Sequence, residues 1–141
     1  MADGSTLEAA LVYTSATDNL TLFKINPDAS HTSFAYIPIS KNELKLGQSI
    51  IAIEGKDKNT VSFGRVTSVN TRTEKDARGS DIKVAYSIGS DISGEGEIQG
   101  GPLLNLSGEL VGIKSSTDEL ILPRGMYIGE IPLRKILEKA K

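Results

Sequence analysis

A chain of 141 residues with no cysteine, one histidine and a formal charge of -2 has room for one domain with one core, and it excludes disulfides and thiolate metal sites. At this length about 68% of the unfolded surface is buried on folding, so no cross-link is needed. The 16 basic and 18 acidic residues are scattered, and the densest cluster, Lys56-Asp57-Lys58, mixes signs, which argues against a nucleic-acid partner.

No apolar run approaches a membrane span, so insertion of this chain into a bilayer is not expected. Residues 1–6 hold neither a basic region nor an apolar signal core. They read as a disordered tail: a mature start, a cloning remnant or a cut boundary.

The next residues alternate short apolar or β-branched runs with turn residues, the pattern of an all-β domain. Leu7 to Thr14 is a first strand. Ser15-Ala16-Thr17-Asp18-Asn19 turns the chain, because Asp and Asn bond their own backbone. Leu20 to Ile25 returns as a second strand and Asn26-Pro27-Asp28 ends it. Ser33 to Ile39 is a third extended piece. Gln48 to Glu54 is strongly β-prone and closes at Gly55. Thr60 to Asn70 alternates around Gly64, and a glycine inside a strand marks a bulge or tight bend. Thr71 to Asp81 is polar and reads as an exposed loop.

Ile82 to Ile88 is another strand. Ser93 to Gly101 is rich in glycine among acidic and polar neighbours. Leu103 to Leu106 and Glu109 to Lys114 form a hairpin turned by Ser107-Gly108. Met126 to Ile131 is the last strand. Pro132 suits the first turn of a helix, with Leu133, Ile136 and Leu137 at helical spacing and a basic end. About nine strands and one helix follow, and even spacing suggests a closed or nearly closed antiparallel barrel.

Several of these stretches, in order, carry a likeness. Gly100-Gly101-Pro102-Leu103-Leu104-Asn105-Leu106-Ser107-Gly108-Glu109-Leu110-Val111-Gly112-Ile113 resembles the segment after the nucleophile in trypsin/chymotrypsin-like serine proteases, with the HtrA branch nearest. Leu46 to Ile53 is similar to the opening strand of that family's second barrel, and Thr60 to Val69 to the next. Leu20 to Ile25 resembles the strand after the catalytic aspartate, and Tyr127 to Pro132 the family's ending. The alternative is an unrelated small barrel that contains Gly-Gly-Pro-Leu-Leu.

The resemblance implies a trypsin-like antiparallel β-barrel fold with a C-terminal α-helix. It divides residues 7–141 into a partial first barrel (7–40), a complete second barrel (41–131) and the helix (132–141). Because HtrA-like relatives work outside the cytoplasm, it also points to an extracytoplasmic setting, which the residues themselves do not test.

Acyl transfer in this family needs a serine, a histidine base and an aspartate that orients the histidine. The nucleophile position, before Gly-Gly-Pro, holds Gln99, whose carboxamide no base can activate. The glycine that would donate to the oxyanion is replaced by Glu97, a carboxylate where negative charge must develop. The aspartate position holds Asn19, a change that costs about 10⁴ in rate in the trypsin triad. Asp18 is adjacent but out of register. No histidine precedes Asn19, and His31 follows it in a polar stretch that reads as a solvated loop.

The expectation is therefore a chain that is not an enzyme. Glu95 and Glu97 with Asp91 could suggest calcium, but the loop reads as solvated and has no EF-hand pattern, so no metal or cofactor is expected. Gly94-Glu95-Gly96 is too short and acidic to hold phosphate, and Asp118, Glu119 and Arg124 read as surface charges. An active hydrolase with a relocated serine, Ser93 or Ser107, is a remaining reading.

By resemblance, the family binds peptide backbone along the segment after Gly112, which here gives Ile113, Lys114 and Ser115 as peptide-binding residues. The partner is then a peptide or protein. A second reading is a structural or assembly domain, or a fragment of a larger protein, whose exposed barrel edge a partner or a second copy covers.

Overall fold

The computed structural model describes residues 6–30, 33–54, 60–76, 78–92, 99–114 and 126–139. Two compact units are distinguished, Met1–Tyr36 with Arg134–Lys141, and Ile37–Leu133.

In the first unit, β1 (Ala9–Ser15) and β2 (Leu20–Ile25) form a two-stranded antiparallel sheet. Leu11 pairs with Phe23 and Ala9 with Ile25, so these four share one face. The register shifts between Leu11 and Tyr13, a bulge at Val12.

The second unit is a closed barrel of β3 (Ser49–Glu54), β4 (Thr60–Lys75), β5 (Asp81–Ser90), β6 (Pro102–Asn105), β7 (Leu110–Lys114) and β8 (Met126–Gly129), in the order β3-β4-β5-β8-β7-β6. Closure leaves the barrel no free edge along the paired strands. The period-2 rule turns Ile50 and Ala52 of β3 inward, where they are fully buried with Val66, Ile88, Leu103, Val111 and Tyr127. The helix α1 (Glu130–Glu138) follows β8 directly, with Glu130 in its first turn and Lys135 in its last, charges that suit the helix dipole. Pro132, Leu133 and Ile136 are its buried apolar residues. Among the described residues, no helix is long and apolar enough to cross a membrane.

The all-β class, the closed antiparallel barrel and the terminal helix agree with the expectation; four local readings do not. First, Thr71 to Asp81 is not a loop, because β4 runs on to Lys75 and pairs with Asp81–Ala85. The polar residues hold the ribbon through cross-strand contacts: Lys75 pairs with Asp81 at 2.5 Å, and the Arg72 guanidinium lies 4.3 Å from the Tyr86 ring centroid. The turn is shorter than expected, and the Asp76 carboxylate closes it by accepting from the Arg78 and Ser80 amides.

Second, Ser33 to Ile39 is not a strand. It reaches the barrel only through a parallel bridge from Ile39 to Leu110, where Leu110 N–H donates to Pro38 O and Ser40 N–H to Leu110 O. Third, of the bulge or tight bend expected at Gly64, the bulge is not formed, since β3 and β4 pair without a shift through Ile50↔Gly64. A Cβ there would meet the Ile92 side chain at 2.5 Å, so close approach explains the glycine. Fourth, the helix begins at Glu130 rather than Pro132, which takes Glu130 and Ile131 from the expected last strand. Eight strands, not nine, are formed among the described residues.

Candidate functional site

The Gly-Gly-Pro segment is built as the entry to β6. Gly100 has φ +85°, a left-handed conformation that side chains rarely adopt. That turn sets the segment antiparallel to the end of β7. Gly100 N–H donates to Lys114 O at 3.0 Å, and Lys114 N–H donates to Gly101 O at 2.8 Å. Pro102 then pairs with Ile113 and Leu103 with Gly112. Gln99, at the turn's start, is exposed. Its carboxamide carries no acidic proton that a base could remove to make a nucleophile.

Asn19 lies in the first unit and closes the β1–β2 turn. It is exposed and has φ +50°, a region Asn tolerates because its short polar side chain bonds locally. Asp18 is buried, and its Oδ2 accepts from Ser15 Oγ at 2.8 Å, while its own amide donates to Ser15 Oγ at 3.2 Å. Asn19 thus has a conformational reason to stand where it does, and Asp18 is turned into its own hairpin.

Glu97, His31, Ser115, Ser93 and Glu95 lie outside the described residues, as do Asp118, Glu119 and Arg124. Asp91 uses Oδ1 to accept from the Arg65 amide at 2.5 Å, which stitches the end of β5 to β4. No group of three or more metal-ligating side chains occurs among the described residues. Ser107 is exposed in the β6–β7 turn, where its amide donates to Asn105 Oδ1.

Of the peptide-binding residues expected from the resemblance, Ile113 and Lys114 are on β7. They pair with β6 or the turn before it on one side, and with Ile128 and Tyr127 of β8 on the other. The main-chain groups of Lys114 are both taken by Gly100 and Gly101. Both sides of β7 are therefore paired at these residues, so a peptide strand would have to displace the Gly100–Gly101 segment.

The sequence reading missed the polar cluster inside the barrel. Glu54 is 3% exposed and Lys114 8%, and Lys114 Nζ stands 3.6 Å from Glu54 Oε1. Tyr127 is fully buried, donates its hydroxyl to Glu54 Oε1 at 3.3 Å, and lies beneath Lys114 Nζ, which is 4.9 Å from the ring centroid. Burial above all, then the Glu54 charge and the hydrogen bond to it, pushes the Tyr127 phenol far above the ordinary tyrosine range. A signal was present: Glu54 stands two residues beyond Ala52 in the alternation Ile50, Ala52, Glu54, so a strand that buries the first two also buries the carboxylate.

The family model described as trypsin-like peptidase domain matches residues 1–113. Among solved structures, the chain is similar to one titled "Crystal structure of Deg5", with TM-score 0.67 and 20% identity, over 92% of this chain and 58% of that one. The chain thus spans little more than half the length of the structure it matches. No curated protein matches it.

Proposed function

The chain belongs to the trypsin-like peptidase domain family, and on that premise we propose that it is a member without peptidase activity that binds a peptide or protein partner. The observation that carries this is Gln99 in the turn before Gly100-Gly101-Pro102, with an intact barrel around it. Without a hydroxyl or thiol there, the family's covalent step has no nucleophile, while the strands that shape the peptide-facing segment are kept. Asn19 supports the same reading, since a carboxamide cannot stabilise an imidazolium by charge. Binding by strand addition along Ile113, Lys114 and Ser115 uses main-chain groups and needs no triad.

Two measurements test this. A fluorophosphonate probe should label no serine, Ser93 and Ser107 included; stoichiometric labelling would overturn inactivity. In ¹H–¹⁵N spectra, an extended peptide should shift the amides of Gly100, Gly101, Ile113 and Lys114. If a panel of extended peptides leaves those amides unmoved, strand addition is wrong.

One observation favours assembly as a second reading. The two-stranded β1–β2 sheet exposes Leu11, Phe23 and Ile25 on a single face, and an isolated hairpin is marginal in water. A second copy of the chain would cover that face. Sedimentation over a wide concentration range decides it, because a strict monomer at the highest concentration removes this reading.

A further inference from the structure

Glu54 and Lys114 form an ion pair that neither the triad positions nor strand addition employs. Its geometry is incomplete. Lys114 Nζ approaches Glu54 Oε1 only to 3.6 Å, whereas charge-assisted N–H···O bonds close to about 2.7–2.9 Å. Glu54 Oε2 is buried and has no hydrogen-bond partner among the described residues. An unpaired acceptor in a side chain this deeply buried is costly, and among the described residues this acceptor capacity stands unused.

Lys114 starts from β7, where Gly100 and Gly101 fix its backbone through both main-chain groups, and the carboxylate belongs to β3 across the barrel interior. The ammonium reaches the near oxygen loosely and does not satisfy the far one. Around it stand the features that recognise an ammonium: a buried carboxylate, and the face of Tyr127 at 4.9 Å in a medium of low dielectric. The Tyr127 hydroxyl donates to the same Glu54 oxygen at 3.3 Å.

We propose that Glu54 and Tyr127 form a binding site for a primary ammonium group, and that the chain fills this site with its own Lys114. An untethered ammonium has three donors free to meet both carboxylate oxygens. It enters only when the Lys114 side chain leaves, because two cations would otherwise share one carboxylate. The ligand class is a primary amine, whether a small alkylammonium or the lysine side chain of an extended peptide. The site stands independently of strand addition.

The test compares the wild-type chain with Lys114→Ala, which empties the site of its tethered occupant. n-Butylammonium chloride should bind Lys114→Ala saturably, shifting the Gly112 and Tyr127 amides and raising the thermal midpoint, at least about tenfold more tightly than it binds wild type. Tetramethylammonium at equal ionic strength, which has no N–H donor, should not reproduce this. Lys114→Ala/Glu54→Gln should lose the response, and Lys114→Met, which refills the space without charge, should not gain it. Extended peptides with and without a lysine then tell a peptide source from a free amine. An equal response in wild type and Lys114→Ala, or one that survives Glu54→Gln, overturns the proposal. If Lys114→Ala does not fold, wild type decides: one lysine ammonium should give a slowly exchanging ¹⁵N signal that Glu54→Gln abolishes. Uniformly fast exchange of every lysine ammonium overturns it.

Discussion

The β1–β2 hairpin and the six-stranded barrel are both made of apolar, β-branched segments, and they dispose of their apolar surface in opposite ways. The barrel closes on itself: Ile50, Ala52 and Leu103 are fully buried, and each barrel strand has two neighbours. The hairpin has two strands only, and Leu11 is 61% and Phe23 58% exposed. The contrast teaches that the barrel can be a self-sufficient scaffold while the hairpin is a surface that gains from company. Asn19 belongs to the hairpin and Gln99 to the barrel entrance.

The comparison can be broken or sharpened by substitution. The largest effect is expected at the barrel's ion pair. Lys114→Ala leaves Glu54 buried and uncompensated, which should cost about 3–5 kcal/mol in urea denaturation, whereas the double change Glu54→Leu/Lys114→Met should recover most of it. Equal losses in the single and double variants would show that packing, not charge, dominates there. Next, Ile50→Ala or Leu103→Ala should cost about 2–5 kcal/mol, while Leu11→Ala should change stability by less than about 0.5 kcal/mol. A hairpin substitution as damaging as a core one would mean that the hairpin is covered in solution.

A smaller effect comes from alkaline pH. The Tyr127 phenol is raised in the folded barrel, so its neutral form is favoured there. Its contribution is complete below the unfolded tyrosine pKa of about 10 and is lost as pH rises above that value, so the denaturation midpoint should fall from about pH 10 upward. Tyr127→Phe should flatten that fall. Absorbance at 295 nm should show one of the four tyrosines silent until the barrel unfolds. The smallest effect is expected at Asn19. Asn19→Val should cost about 1–2 kcal/mol, because a β-branched residue resists the left-handed region, and Asn19→Gly should be nearly neutral. If Asn19→Gly is as harmful as Asn19→Val, the side chain itself is needed.

Much of the barrel was legible because its strands obey simple periodicity. Ser49–Glu54 formed within one residue of the expected strand, and the Gly-Gly-Pro segment led into the expected β6–β7 hairpin. The reading as a trypsin-like relative agrees with the family match, and the barrel agrees with the fold of the Deg5 structure. What stayed hidden depended on partners distant in sequence. Thr71 to Lys75 looks like a loop until Asp81 to Ala85 lies beside it, and then Thr71 and Thr73 read as strand residues with charged neighbours between them. Ser33 to Ile39 looks like a strand, but only Ile39 finds a bridging partner. At the site, Gln99 and Asn19 are legible only through the resemblance, which expects the family's nucleophile and aspartate at those positions. The alternation Ile50, Ala52, Glu54 turns Glu54 inward, but that charge gains meaning only when Lys114 and Tyr127 are seen beside it.

The strand β4 belongs to two pairings at once, with β3 through Thr60–Arg65 and with β5 through Val66–Lys75. Both are hairpins between neighbours in the chain, so their loop entropies are small. The seam that makes the cylinder complete is different, because it joins Ile50 to Asn105 and Ala52 to Leu103. Contacts of such sequence separation form late when nearby hairpins form early. The β3–β4–β5 meander is therefore the expected folding nucleus, and the β3–β6 seam the last to zip. Kinetically, Leu104→Ala should chiefly accelerate unfolding, and Val69→Ala should chiefly slow folding. The reverse partition would place nucleation at the seam.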